Sequence, residues 1–376
     1  MQLNIMQCTP AARSHSEGSK HRYAAAHLYD KDMTSVIYYL PQLVQALRYD
    51  DEGQIEEFLK KRAQERGRFA TLLIWTLQGE EAPPWCREPR EGEDAENWEK
   101  YTVRRSGWNE PKENSIWPIV ERVRSELLNG IMKGKELFER ESALLDRIMA
   151  VSIALKDLSM EERKESLTQH LECALDAFVR RHLVISDSGE KALFLGLCRS
   201  VAEHVDNQNI ILPTDYKMRI VQLLPESGKP LQSATKVPIM VSFLVEDMET
   251  LERQKKVSSP VEYLLQQEHK ALSSALPTEI NLQACIFKVG DDCRQDVLAL
   301  QLVHKLKSIW ASAQLPIEVR PYGVIPTGYE RGVIEVIQNV NSRDEIGALV
   351  DGGIVDAFKS MCASKICEGM PRYSRH

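Results

Sequence analysis

The hydrophobic spacing of this 376-residue chain changes period just past its middle, and that change constrains the architecture more than any other feature. Up to about residue 205 the apolar residues return every three or four positions, whereas after about Asn209 they come in short β-branched runs bounded by Pro or Gly. The first spacing belongs to amphipathic helices and the second to strands. The expected class is therefore α+β, an all-helical part followed by a small antiparallel sheet.

Within the first part, Leu43, Val44 and Leu47 form one stripe, Ile55, Phe58 and Leu59 a second, and Leu72, Leu73 and Trp75 a third. Short connections containing Asp50, Asp51, Gly53 and Gly67 separate them, the pattern of helix hairpins stacked as a solenoid. A charged, Pro- and Gly-rich stretch over 80–115 reads as a loop insertion. Helical spacing then resumes, most clearly at Leu167, Leu171, Ala174, Leu175 and Phe178, which share one face. In the second part five strands are expected, at 218–224, 237–245, 281–289, 317–325 and 332–337. One helix interrupts them at about 292–313, with Leu298, Leu302, Leu306 and Ile309 expected to face the core.

Composition excludes several classes. The net charge of −7 gives no basic footprint for nucleic acid. The longest apolar run, Phe69 to Leu77, is far below the roughly 18 residues of a membrane span, and no compact secretory signal opens the chain, so a cytoplasmic protein is expected. The eight cysteines form no CxxC pair and no zinc spacing with histidine, and they read as free thiols.

One stretch carries chemistry. In "CIFKVGDDCRQDVLALQ", Cys285 to Gln301, a lysine stands among Ile286, Phe287 and Val289 directly before Gly290, Asp291 and Asp292. A lysine at a strand end is ordinarily a snorkelling surface residue, and an Asp pair ahead of a helix ordinarily caps it, here through Asp292. The wording of the stretch argues for more. "FKVGDDCRQD" (Phe287–Asp296) closely resembles the FKxGDDxRQD signature of the phosphoinositide 3-/4-kinase superfamily. "LQSATKVP" (Leu231–Pro238) resembles that family's phosphate-covering loop, "RPYGVIPTGYERGVIEVI" (Arg320–Ile337) its strand and adenine hinge, and "PQLVQALRYD" (Pro41–Asp50) a hallmark of its helical accessory domain. The wording "VGDDCRQDVLALQ", with "NSRDEIG" and "DGGIVDAF" beyond, is most similar to the type III alpha phosphatidylinositol 4-kinases.

The resemblance implies a layout of a flexible segment at 1–35, a helical PIK accessory domain at 36–205, a kinase N-terminal lobe and hinge at 206–340, and the beginning of a C-terminal lobe at 341–376. It implies ATP and Mg²⁺ as cofactors, with Lys288 pairing with the α- and β-phosphates, Asp296 anchoring Lys288, and Ser233 and Lys236 contacting phosphate from the loop. Adenine would meet the backbone carbonyl of Glu335 and amide of Ile337, with Tyr322 on the inner wall. Because phosphoryl transfer is catalysed mainly by positioning and charge stabilisation, a partly shielded lysine on a strand suits that role.

No string resembling the family's DRHNxN or DFG segments occurs, so neither a catalytic base nor metal ligands are assigned, and the expectation is a family fragment inactive by itself. The family reaction transfers the γ-phosphate of ATP to the 4-hydroxyl of phosphatidylinositol at a plasma-membrane or endomembrane surface. Scaffold proteins would dock on the helical region. Two alternatives stay open, a non-catalytic helical interaction module and a phosphoinositide 3-kinase.

Overall fold

The computed structural model describes residues 27–82, 115–131, 135–182, 210–231, 236–248, 280–338, 340, 346–347, 353 and 355–360. The insertion expected over 80–115 falls almost wholly outside them, as does Ser233. The described residues up to Val336 form one compact unit and those from Ile337 a second.

Among the described residues the helices that precede the sheet include α1 (Met33–Tyr38), α2 (Leu40–Ala46), α3 (Gln54–Glu65), α4 (Gly67–Gly79), α5 (Trp117–Glu126), α6 (Lys135–Ala154) and α7 (Met160–His182). The breaks between them follow local chemistry. After α2, Asp50 turns back so that its carboxylate accepts the amides of Gln54 and Glu56, at 3.0 and 2.9 Å. That satisfies donors the first turn of α3 would otherwise leave bare. Of the expected stripes, Val44, Phe58, Leu59 and Leu73 are fully enclosed and Ile55 is half-buried. Leu167 and Leu171 of α7 are buried too, resting on the sheet at Gly228.

The sheet has six described strands, β1 (Ile211–Leu212), β2 (Asp215–Pro230), β3 (Ile239–Asp247), β4 (Ile280–Val289), β5 (Val324–Gly328) and β6 (Arg331–Glu335), in the order β1-β2-β3-β4-β6-β5 with every neighbour antiparallel. Period-2 alternation places Ile239, Val241, Phe243 and Val245 of β3 on one buried face, joined across the register by Cys285 and Phe287 of β4 and Val333 of β6. These residues and the accessory helices share a single core. Ser152 of α6 donates to the carbonyl of Val237 at 2.5 Å. The Glu141 carboxylate of the same helix accepts the amide of Ile211 at 2.9 Å.

Two expectations are corrected. Residues 317–322, expected to open a strand, pair with nothing in the ladder, Gly323 meets β6 through its carbonyl, which accepts the Glu335 amide, and β5 begins at Val324. Pro316 stands just before that segment and Pro321 within it; proline offers no ladder donor and restricts the residue before it. Secondly, the helix α8 (Arg294–Ser312) has no buried residue, and the stripe read as core faces outward, with Leu298, Leu302 and Ile309 62, 61 and 50% exposed. Its attachments are polar. The Tyr38 hydroxyl donates to the Gln301 carbonyl at 2.6 Å, and the Gln301 amide donates back to the Tyr38 carbonyl at 2.5 Å and to Gln42 at 3.0 Å.

The second unit has a short helix at 355–360, with Ala357 buried and Val355 and Phe358 exposed.

Candidate phosphate site at the Gly290 loop

Lys288 stands near the end of β4, opposite Gly332 of β6 in the ladder. Its neighbour Phe287 points into the core, so strand alternation turns Lys288 to the other face, where its side chain is 26% exposed. Burial pulls the Lys288 amine down. The hydrogen bond and charge of Asp291, 3.2 Å away, with the charge of Asp296 behind it, outweigh that pull and hold it above the usual lysine range. The amine therefore stays cationic at any physiological pH.

After β4 the chain turns at Gly290, whose φ of +89° is a conformation that side-chain-bearing residues rarely adopt. A Cβ there would run into the side chain of Lys236, including its amine. The absent side chain is thus what lets Lys236 close over the loop. The amides of Gly290 and Asp291 both donate to the carbonyl of Glu330, at 2.6 and 3.0 Å. That carbonyl sits in the two-residue connection between β5 and β6, where Glu330 itself has φ +48°. The loop is consequently fixed from its backbone, while two lysine side chains converge on it.

Asp292 and Arg294 continue the site into α8. The helix begins at Cys293 without a side-chain cap of its own. Instead Asp292 accepts the Arg294 amide at 3.1 Å and the guanidinium twice, at 2.8 and 2.7 Å. The remaining arm of the guanidinium reaches Glu80 at 2.8 Å. The hydrogen bond from Asp292 raises the Arg294 pKa against its own burial, with Glu80 adding to it. Cys293 lies beneath Gly332, where a Cβ would come within 2.7 Å of its sulfur. Burial pushes its thiol up to about 12, so it is not a nucleophile here.

The expected site residues distribute as follows. Lys288, Lys236 and Gly290 come together. Asp296, in the first turn of α8, acts on Lys288 through its charge, while the direct ion pair is made by Asp291. Tyr322 is 37% exposed, two residues before β5. Glu335 ends β6, its amide bonded to the Gly323 carbonyl at 2.8 Å and its carboxylate accepting the Gly323 amide at 2.7 Å. Ile337 opens the second unit. Ser233 lies outside the described residues. Asp292 was weighed as a helix cap, but its clasp on the Arg294 guanidinium and the link from there to Glu80 were missed by sequence reasoning. A signal existed for the last: an acidic pair at the C-terminal end of an apolar helix opposes the helix dipole and asks for a reason.

The arrangement can hold a polyanion. Two ammonium groups beside a glycine turn and a rigid backbone fit a nucleotide's phosphates, with Lys288 and Lys236 as the residues that would hold them. Among the described residues no three His, Cys, Asp or Glu side chains are arranged to hold a metal ion.

Among the described residues, a six-stranded antiparallel sheet whose interior strand β4 carries a lysine and runs into a Gly-Asp-Asp turn and a helix is the N-terminal lobe of a kinase-like fold. Residues 282–358 match the model of the phosphatidylinositol 3- and 4-kinase family, and residues 13–101 that of the phosphoinositide 3-kinase family accessory (PIK) domain. The chain thus carries segments that match both the kinase domain and the accessory domain of this family. It is 33% identical over 352 residues to phosphatidylinositol 4-kinase alpha 1 of Arabidopsis thaliana, covering 93% of this chain and 14% of that one. To phosphatidylinositol 4-kinase STT4 of Saccharomyces cerevisiae it is 27% identical over 340 residues, 90% of this chain and 14% of the relative. A similarity to phosphatidylinositol 3-kinase 3 of Dictyostelium discoideum, 33% over 150 residues, covers 40% of this chain and 7% of that one. The chain thus spans about one seventh of the two 4-kinases.

Proposed function

We propose that this chain forms the accessory domain and ATP-phosphate-binding lobe of a phosphatidylinositol 4-kinase, in which the γ-phosphate of ATP passes to the 4-hydroxyl of phosphatidylinositol. The observation that carries the nucleotide site is the convergence of Lys288 and Lys236 on the left-handed Gly290 turn. Lys288 binds and orients the phosphates, Asp291 and Asp296 keep it charged, and Lys236 closes from the other side. Ser233 contributes from the same loop as Lys236. The carbonyl of Glu335 and the amide of Ile337 receive adenine, with Tyr322 near the ring. Mg²⁺ would supply charge neutralisation at the phosphates, and no set of side chains among the described residues is arranged to hold it.

The 4-hydroxyl rather than the 3-hydroxyl is favoured because similarity to 4-kinases runs through some nine tenths of the chain, against 40% for the 3-kinase. Domain limits of 36–205 and 206–340 belong to the same reading, as do docking of scaffold proteins on the helices and work at a plasma-membrane or endomembrane surface. No helix among the described residues is long and apolar enough to cross a membrane.

The test is a pair of measurements on residues 1–376. A fluorescent ATP analogue should bind saturably and be displaced by ATP. Incubation with phosphatidylinositol vesicles and labelled ATP should yield no lipid phosphate, since no DRHNxN or DFG string is present. Failure to bind would remove the nucleotide reading; phosphorylation at the 3-position would move the chain to the other branch.

A further inference from the structure

The end of α4 carries Gln78, Gly79, Glu80 and Glu81, and all three side chains are nearly enclosed, at 3, 8 and 4% exposed for Gln78, Glu80 and Glu81. Two carboxylates just past a helix C-terminus face the negative end of its dipole, a placement that costs about 0.3–1 kcal/mol each. Burial adds to that cost. What offsets it lies in the other domain. Glu80 takes one arm of Arg294, whose other nitrogens clasp Asp292. Glu81 accepts the amide of Tyr329 at 3.2 Å. Tyr329 and Glu330 form the β5–β6 connection, and the Glu330 carbonyl is the acceptor for the Gly290 and Asp291 amides. Both glutamates therefore lead, by separate routes, to the same three residues, 290–292. Gly79 is packed against Pro326 so closely that an added Cβ would fall 2.8 Å from its ring, which fixes the helix end against β5.

We propose that Glu80 and Glu81 are positioning residues, an acidic clip by which the accessory domain sets the conformation of the Gly290 loop and so its affinity for nucleotide phosphates. The clip rests on the nucleotide reading given above. It acts through Arg294 and Tyr329 and touches no substrate. Its rationale is geometric: a loop that must keep two amides on the Glu330 carbonyl and hold two lysines in fixed directions gains from being gripped on both flanks, because misplacement by about 1 Å can cost up to a hundredfold where groups must be aligned. Arginine is required at the junction because only its fork can serve Asp292 and Glu80 together.

The experiment uses residues 1–376 with Glu80→Ala, Arg294→Lys and, as a matched control, Arg122→Ala, which breaks an ion pair with Glu56 inside the accessory domain. Two readouts are taken: hydrogen exchange of the peptide over 288–294, and displacement titration of a fluorescent ATP analogue. Glu80→Ala and Arg294→Lys should each speed exchange at Gly290 and Asp291 and weaken nucleotide binding by about tenfold, with exchange in β2 and β3 unchanged. Arg122→Ala should do neither. Exchange and affinity at wild-type levels in folded Glu80→Ala and Arg294→Lys would overturn the clip while leaving the nucleotide site standing. Absence of nucleotide binding by the wild-type chain would overturn the site reading and the clip's role with it. Should Glu80→Ala not fold, Arg294→Lys, which keeps the positive charge, carries the test alone.

Discussion

Replacing Lys288 with Met should weaken binding of a fluorescent ATP analogue roughly ten- to a hundredfold, the equivalent of losing one charged hydrogen bond of about 1.5–3 kcal/mol. Methionine keeps the length and apolar stem of the side chain and removes the charge, so Phe287 and the β4 ladder stay in register. The ion pair lost to Asp291 is partly solvent-exposed and of little consequence for stability. The melting temperature should therefore move by no more than about 2 °C. The combination separates a binding role from a structural one. Equal affinity in the two proteins would mean that Lys288 is an ordinary snorkelling residue of a strand end.

Replacing Glu141 with Gln should make the protein markedly more stable at pH 8.5 and leave it nearly unchanged at pH 5. Burial pushes the Glu141 carboxyl up to about 8, against the downward pull of the Ile211 amide. In the unfolded chain the same group titrates near 4.5. Below pH 4.5 both states hold the proton and folding is unaffected. Between 4.5 and 8 the unfolded chain has released the proton and the folded chain keeps it, so stability falls as pH rises, by about 1.4 kcal/mol per pH unit. Above 8 the loss is complete. Glutamine supplies the same acceptor to Ile211 without a titrating proton. Thermal melts of both proteins at pH 5 and 8.5 check this: the wild-type melting temperature should fall by several degrees more across that interval than the variant's. Parallel shifts would show that Glu141 is solvated in the folded state.

Much of the fold was legible because it depends on local spacing. Leu43 and Phe58 had to be buried once helices formed, since they lie on the apolar stripes of those helices, and Leu73 sits in a helix apolar on nearly every face. β3 and β4 declare themselves by alternation, and Gly290 is placed by a turn only glycine tolerates easily. What the spacing could not reveal was the partner of a face. Leu298, Leu302 and Ile309 share a stripe as expected, yet periodicity says only that they point the same way, and in this fold α8 is held by Gln301 and Arg294 instead. The strand expected at 317–322 failed for a reason visible in its prolines but overridden by its β-branched residues. Lys288 and Lys236 were recognisable from wording near each of them. Asp291 in place of Asp296 as the direct partner of Lys288 was not, because three-residue proximity in a turn depends on the turn's shape. Glu80, more than 200 positions from Arg294, could be suspected only from its misfit with the helix dipole.

The most direct measurement of the account uses an acyl-phosphate derivative of ATP, whose activated carbonyl is attacked by a lysine amine lying beside the phosphates, forming an amide and releasing the nucleotide. Mass spectrometry of the labelled chain, residues 1–376, should find the acyl group on Lys288 or Lys236, with labelling suppressed by excess ATP. Labelling confined to other lysines, or labelling at these two that ATP does not suppress, would contradict a phosphate site at the Gly290 loop.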